Sequence, residues 1–151
     1  MICFLDSNIV LRFLVPEDQK IHSECARLFD LVEARGIEAR TSSCVCAEVV
    51  WVLRGGVYQF SKEKATEALR SFDAIGITLD DRIQMRLALN LYAAHSVKFV
   101  DALIASNPGL QDGSLALVSY DKDFDKLGID RHEPLAILKK YGNDRQHGGR
   151  S

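Results

Sequence analysis

No stretch of this sequence approaches the roughly 18 consecutive apolar residues needed to cross a bilayer. The opening segment, Met1 to Asp6, has neither a basic leader nor a long apolar region, so it reads as the start of a domain and not as a secretory signal. A basic excess is also missing. Lys and Arg total 19 against 21 Asp and Glu, a net charge of -2, which excludes a protein that coats nucleic acid by charge alone. Any nucleic-acid contact must be local, with a bound cation able to supply part of it. No CxxC pair occurs among Cys3, Cys25, Cys44 and Cys46, and Cys44 and Cys46 stand two apart, a poor spacing for tetrahedral zinc. Cys3 lies in an apolar run and reads as core. Free thiols are expected throughout, and with them a reducing, cytoplasmic setting. None of the four histidines falls in a nucleophile or metal motif; His132 and His147 sit in an expected loop and tail. Internal repeats and low-complexity blocks are absent.

What remains is an ordinary globular composition, 47% hydrophobic and 26% charged over 151 residues, enough for one domain with its own core. Short apolar runs at Ile2 to Leu5, Ile37 to Thr41, Ile75 to Leu79 and Leu115 to Tyr120 read as buried strands. Between them lie helical patterns. Ser7 or Asn8 offers a cap for a helix from Ile9 to Leu14, stopped by Pro16. Asp18 caps a longer one carrying Ile21, Cys25, Leu28, Phe29 and Val32, ended by Gly36. Ser42 or Ser43 opens a helix through Glu48 and Leu53 that Gly55-Gly56 breaks, and Ser61 opens another. Asp80 or Asp81 caps a helix in which Ile83, Leu87 and Leu91 step by four, with Met85, Leu89 and Tyr92 on a second side. Apolar on two sides, it is expected to be well buried. A helix over Lys98 to Ser106 halts at Asn107-Pro108-Gly109. Leu135 to Leu138 is expected as a last edge strand, and residues 142–151, polar and Gly-rich, as a disordered tail to a domain spanning 1–141. Alternation of strands and helices predicts an α/β sandwich on a mostly parallel sheet of four to five strands.

In open sheets of that kind, ligands bind beyond the carboxyl ends of the strands. Asp6 ends the first strand and Asp121 follows the fourth. Asp101 is a single carboxylate in Phe99-Val100-Asp101-Ala102-Leu103-Ile104-Ala105, and Glu48 is another in Val45-Cys46-Ala47-Glu48-Val49-Val50-Trp51. An isolated acid in apolar surroundings is costly to bury unless it is paired, protonated or bound to metal. Four converging acids would repel one another, and a cation or raised pKa values would relieve that. All-oxygen ligands favour hard ions, so Mg²⁺ or Mn²⁺ is the natural guest, able to assist in-line attack on a phosphodiester. Against this stand bland readings: with 21 acids in the chain, a strand-end Asp is often a helix cap and a lone helical acid often lies at a solvated edge.

Four strings resemble, in order, the motifs of PIN-domain nucleases: Leu5-Asp6-Ser7-Asn8-Ile9-Val10-Leu11, Ala47-Glu48-Val49-Val50-Trp51-Val52-Leu53, the Asp101 string above, and Val118-Ser119-Tyr120-Asp121-Lys122-Asp123-Phe124. The resemblance spans about residues 1 to 140. It implies a three-layer α/β/α fold and Mg²⁺- or Mn²⁺-dependent cleavage of single-stranded or structured RNA. Short members of this family are mostly VapC-like toxins of toxin–antitoxin pairs, so it also implies a homodimer neutralised by a small antitoxin whose tail enters the active-site groove. Carried over by position, Asp6, Glu48, Asp101 and Asp121 form the catalytic and metal-binding quartet. Asn8 and Ser119 are candidate polar neighbours that orient ligands or water, and Asp123 a candidate helper to Asp121. Their alternatives are helix capping, strand-end solvation and a solvated turn. Arg12 and Lys122 are candidate phosphate contacts or surface charges. Trp51 either stacks a base or belongs to core or a dimer contact. Tyr120 stands where small residues are common in the family.

Two rival readings give different expectations. A haloacid-dehalogenase-type phosphotransferase also begins with a strand-end Asp but needs a second acid two residues on, where this chain has Asn8. A degenerate PIN fold that only binds RNA or a partner would be expected to have lost acids, and all four are present.

Overall fold

The computed structural model describes residues 1–142. Its centre is β1 (Ile2–Leu5), whose residues Cys3, Phe4 and Leu5 are at most 1% exposed. A strand that apolar can only sit inside a sheet covered on both faces. β1 pairs in parallel with β2 (Glu38–Thr41) on one side and with β4 (Ala116–Val118) on the other. β3 (Thr78–Leu79) and β5 (Arg131–His132) are two-residue edges, completing the all-parallel order β3-β2-β1-β4-β5. Helices flank this sheet, as an α/β fold requires. The third strand, expected from Ile75, pairs only at its last two residues, where the sheet edge already lies in solvent.

The chain leaves β1 toward β2 and later returns to β1's other side as β4. The order therefore reverses between β1 and β4, and a crevice opens there at the carboxyl ends of the strands. α1 (Ser7–Leu14) starts at that point and packs on α2 (Gln19–Glu33) and α3 (Ser43–Arg54). α4 (Lys62–Asp73) packs on α3, and α5 (Met85–Ala94) on α6 (Phe99–Ala105). The core joins β1 and β4 to Ile9, Leu28, Phe29, Val49, Leu53, Phe124 and Ile137.

Several local expectations are corrected. The cap of α1 is Asp6 and not Ser7 or Asn8: its carboxylate accepts from the Ser7 N–H, one of the donors a helix start leaves unpaired. Asp80 and Asp81 do not cap α5, which starts at Met85. Asp81 instead accepts from the Ser43 N–H and hydroxyl, and Asp80 from Arg82, Arg40 and Asn107. After α6 the chain makes a further short helix, α7 (Pro108–Asp112), because Pro108 suits a first helical turn and Asn107 caps it. α8 (Asp123–Lys126) follows the fourth strand. Leu135 to Leu138 lies not in a strand but in α9 (Pro134–Tyr141), again opened by a proline; Ile137 and Leu138 face inward at helical, not alternating, spacing. The last strand is the short β5 just before it. The expected tail lies outside the described residues beyond Gly142.

α5 overturns a further expectation. Only Ala88 is buried, while Met85, Leu89 and Tyr92 are each about half exposed. Two apolar sides on a helix signify burial, but inside a single chain only one of them is covered.

Candidate active site

β1 delivers Asp6 to the crevice and β4 delivers Ser119, Tyr120 and Asp121. Asp6 is 3% exposed, so its charge needs donors. Oδ1 accepts from the Ser7 N–H at 2.7 Å, and Oδ2 accepts from Asn8 Nδ2 at 2.8 Å and Ser119 Oγ at 2.7 Å. The Ser119 hydroxyl in turn accepts from Asn8 Nδ2 at 3.0 Å and from the Asp121 N–H at 3.0 Å. Asn8 Oδ1 accepts from the Tyr120 N–H at 3.1 Å. Asn8 and Ser119 are thus a stitched pair that joins the end of β1 to the end of β4. The capping and solvation alternatives for them do not describe what they touch.

Asp101 reaches the same crevice from the first turn of α6. It is 3% exposed, and its Oδ2 is buried with no hydrogen-bond partner among the described residues. Burial, with Asp6, Asp121 and Glu48 nearby, raises its pKa to about 7, opposed by Lys98. Asp6 is raised to about 6 by burial, against the hydrogen bonds from Ser119 and Ser7. Glu48 comes from the middle of α3 and is half-buried; its carboxylate accepts a short hydrogen bond from Ser7 Oγ. The four acids named from the sequence are therefore drawn into one electrostatically coupled group.

Asp123 is nearer the centre of this group than its sequence position suggests. Oxygens of Asp101, Asp121 and Asp123 all lie within 4.8 Å of one another, a spacing that one cation can bridge. Its N–H donates to Asp121 Oδ1 at 2.9 Å, and its own Oδ1 accepts from Lys126 Nζ at 2.8 Å. The donor chemistry fits a hard divalent ion: carboxylates only, one of them carrying a buried oxygen that no described residue satisfies.

Sequence reading missed Ser7 as more than a helix start. The signal was its place between the two motif residues Asp6 and Asn8, but its partner Glu48 stands 41 residues away. Tyr120 uses its size: its hydroxyl donates to Glu24 Oε2 on α2 at 2.9 Å, tying that helix to the site. Arg12 pairs with Glu17 at 3.6 Å, while Lys122 is exposed beside Asp121.

The sequence profile of the PIN domain matches residues 3–130. The chain belongs to the PIN domain family. PIN domains are nucleases that use divalent metal, in accord with the acidic group just described. No curated protein matches the sequence. Among the solved structures of similar fold are two at low identity. One is VapBC2 from Rickettsia felis bound to a DNA fragment from its promoter, at 19% identity and a TM-score of 0.65, covering 88% of this chain and 98% of that one. The other is FitAcB from Neisseria gonorrhoeae, at 16% identity and a TM-score of 0.58, covering 89% and 99%.

Two apolar surfaces lie outside this PIN site. An open groove of about 1130 Å³ runs from α3 into the turn after it, past Val50, Trp51, Val57, Tyr58 and Leu69. Trp51 is 80% exposed and Val57 84%, so neither is core. The second surface is the α5 stripe with Ile83 and Phe99, where the Tyr92 and Phe99 rings meet edge to face at 5.3 Å.

Proposed function

We propose that this PIN protein is a Mg²⁺- or Mn²⁺-dependent endoribonuclease, the toxin of a toxin–antitoxin pair acting in the cytoplasm. The observation that carries the nuclease centre is the unpartnered buried oxygen of Asp101, within reach of Asp121 and Asp123. Asp101, Asp121 and Asp123 would hold the ion, with Asp6 and Glu48 adding charge and ligand oxygens around it. Such an ion supplies Lewis-acid polarisation of a phosphodiester and a nucleophile at neutral pH.

The chain's own groups do the rest. Asn8 and Ser119 lock the Asp6 carboxylate in one orientation, so it does not reorganise as charge develops. Burial and the neighbouring carboxylates raise the Asp101 pKa to about 7, so its proton is given up more readily when a cation offsets that repulsion. Glu48, half-buried like Asp121, would add a carboxylate oxygen at the edge of the group. An RNA strand carrying phosphate charge meets a protein of net charge -2, so binding relies on the local cation and on Lys98, Lys122 and Lys126 around the rim.

The exposed groove at Trp51 and Val57 supports a peptide-like partner, in keeping with the neighbouring structures named VapBC2 and FitAcB. The α5 stripe supports a homodimer through a second copy of this chain.

The test is cleavage of a mixed RNA pool by purified protein freed of any partner, with Mg²⁺ or Mn²⁺, with EDTA, and with Asp101→Asn. Metal-dependent cleavage that falls by about 100-fold or more in the variant is the expected result. Cleavage indifferent to EDTA and to the variant would reject the metal centre.

A further inference from the structure

We propose that Ser7 is the positioning residue of Glu48, its hydroxyl holding that carboxylate toward the cation site. The inference rests on the metal-dependent nuclease reading and adds to it a residue that sets the geometry of one acid.

Ser7 occupies the first turn of α1 and is 6% exposed. Its backbone N–H already serves the helix cap by donating to Asp6 Oδ1 at 2.7 Å. The hydroxyl is therefore not needed for capping, and it crosses to α3 to donate to Glu48 Oε1. One residue thus holds two acids of the site at once, Asp6 through its backbone and Glu48 through its side chain. Glu48 Oε2 accepts no hydrogen bond among the described residues, which leaves one oxygen for an ion or its water.

The need for such a hold follows from the other acids. Asp6 is fixed by three donors, Asp121 accepts from the Asp123 N–H, and Asp123 accepts from Lys126. Glu48 has the longest side chain of the group, and among the described residues Ser7 supplies its one hydrogen bond. Like charge from Asp6 and Asp101 favours a rotation of that side chain toward water. A buried donor on the opposite side resists the rotation, as outer hydrogen bonds orient metal-ligating groups generally. Alanine at 7 keeps the backbone bond to Asp6 and deletes only the hold on Glu48, so the two functions of this residue separate experimentally.

The experiment is Mn²⁺ titration of the full chain, followed by calorimetry and by the loss of free Mn²⁺ EPR signal, for wild type, Ser7→Ala, Ser7→Thr, Glu48→Gln and Ser7→Ala/Glu48→Gln. Ser7→Ala is expected to weaken Mn²⁺ binding about tenfold. Ser7→Thr is expected to stay within about threefold of wild type, since it keeps the donor. In the Glu48→Gln background, Ser7→Ala is expected to change binding less than about twofold, because its partner is already altered. Should Ser7→Ala fail to fold, Ser7→Cys, similar in shape and a weaker donor, carries the same comparison. Unchanged Mn²⁺ binding in Ser7→Ala, or an equal loss with and without Glu48, would overturn the assignment of Ser7 while leaving the metal centre intact. A wild-type chain that binds no Mn²⁺ overturns the metal centre and this inference with it.

Discussion

Asp101 is held in a state that suits a cation better than it suits the metal-free protein. Its pKa of about 7 and that of Asp6, about 6, both lie above the usual carboxylate range near 4. A carboxyl whose folded pKa is raised stabilises the fold fully below its unfolded pKa, and that stabilisation is lost as pH rises through the folded value. The melting temperature of metal-free protein should therefore fall between about pH 4 and pH 7 and level off above, and saturating Mg²⁺ should raise it more at pH 8 than at pH 5. Asp101→Asn should flatten this dependence and raise the metal-free melting temperature at pH 8 by a few degrees, about 1–2 kcal/mol. A differential scan with and without EDTA reads all three outcomes; a variant less stable than wild type at pH 8 would contradict the electrostatic account. At this scale the sequence was informative where an acid interrupts an apolar run, as Asp101 and Glu48 do. It was silent on Ser7 and understated Asp123, because a serine beside a helix start and an acid in a turn have common local explanations. Only the approach of α3 and of α6 turns them into parts of the site.

Among the elements, the junction of β2, β3 and α7 rests on one carboxylate. Asp80 is 6% exposed and accepts from Arg82 Nη2 at 2.8 Å, Arg40 Nη1 at 3.2 Å and the buried Asn107 Nδ2 at 3.1 Å. Arg82 and these other donors hold its pKa below the usual carboxylate range, against the opposing effect of burial. Its contribution is thus present above about pH 4 and lost on acidification through the depressed value, the opposite sense to Asp101. Asp80→Ala should destabilise by about 3 kcal/mol in urea unfolding, because Asn107 and two guanidinium groups lose their shared acceptor. A loss under about 0.5 kcal/mol would show that water replaces it. The same elements show where pattern reading falters. The period-two and period-3.6 signals of Leu135 to Leu138 are indistinguishable over four residues, and Pro134 was the discriminating residue. β3 was overextended because Ile75 and Ile77 are apolar for packing and not for pairing.

For the whole molecule, burial patterns inside one chain leave the α5 stripe unexplained, and a second copy is the reading that covers it. On the proposed dimer, light scattering should find wild type dimeric and Leu89→Glu monomeric at the same concentration, with an unchanged circular dichroism spectrum, since Leu89 is 51% exposed and its loss opens no cavity. Wild-type protein that runs as a monomer at every concentration would remove the dimer. The parallel topology and the position of the crevice were legible from alternation alone, because buried strands and strand-end acids both leave marks in sequence. Which faces stay exposed was not, because an apolar helix face looks the same whether its cover is the same chain or another.

The link from Ser119 to Asp6 closes across 113 residues. A growing polypeptide emits Asp6, Asn8 and Glu48 early, yet the hydroxyl that orients Asp6 and the acids at 121 and 123 emerge only after four fifths of the chain. Pairing of β4 with β1 is a late event by its sequence separation, and long-range pairing of this kind is slow to form. Incomplete chains therefore carry Asp6, Glu48 and Asp101 without Asp121, Asp123 or the Ser119 hydroxyl that bonds to Asp6. The crevice and its carboxylates come together only once β4 has docked on β1.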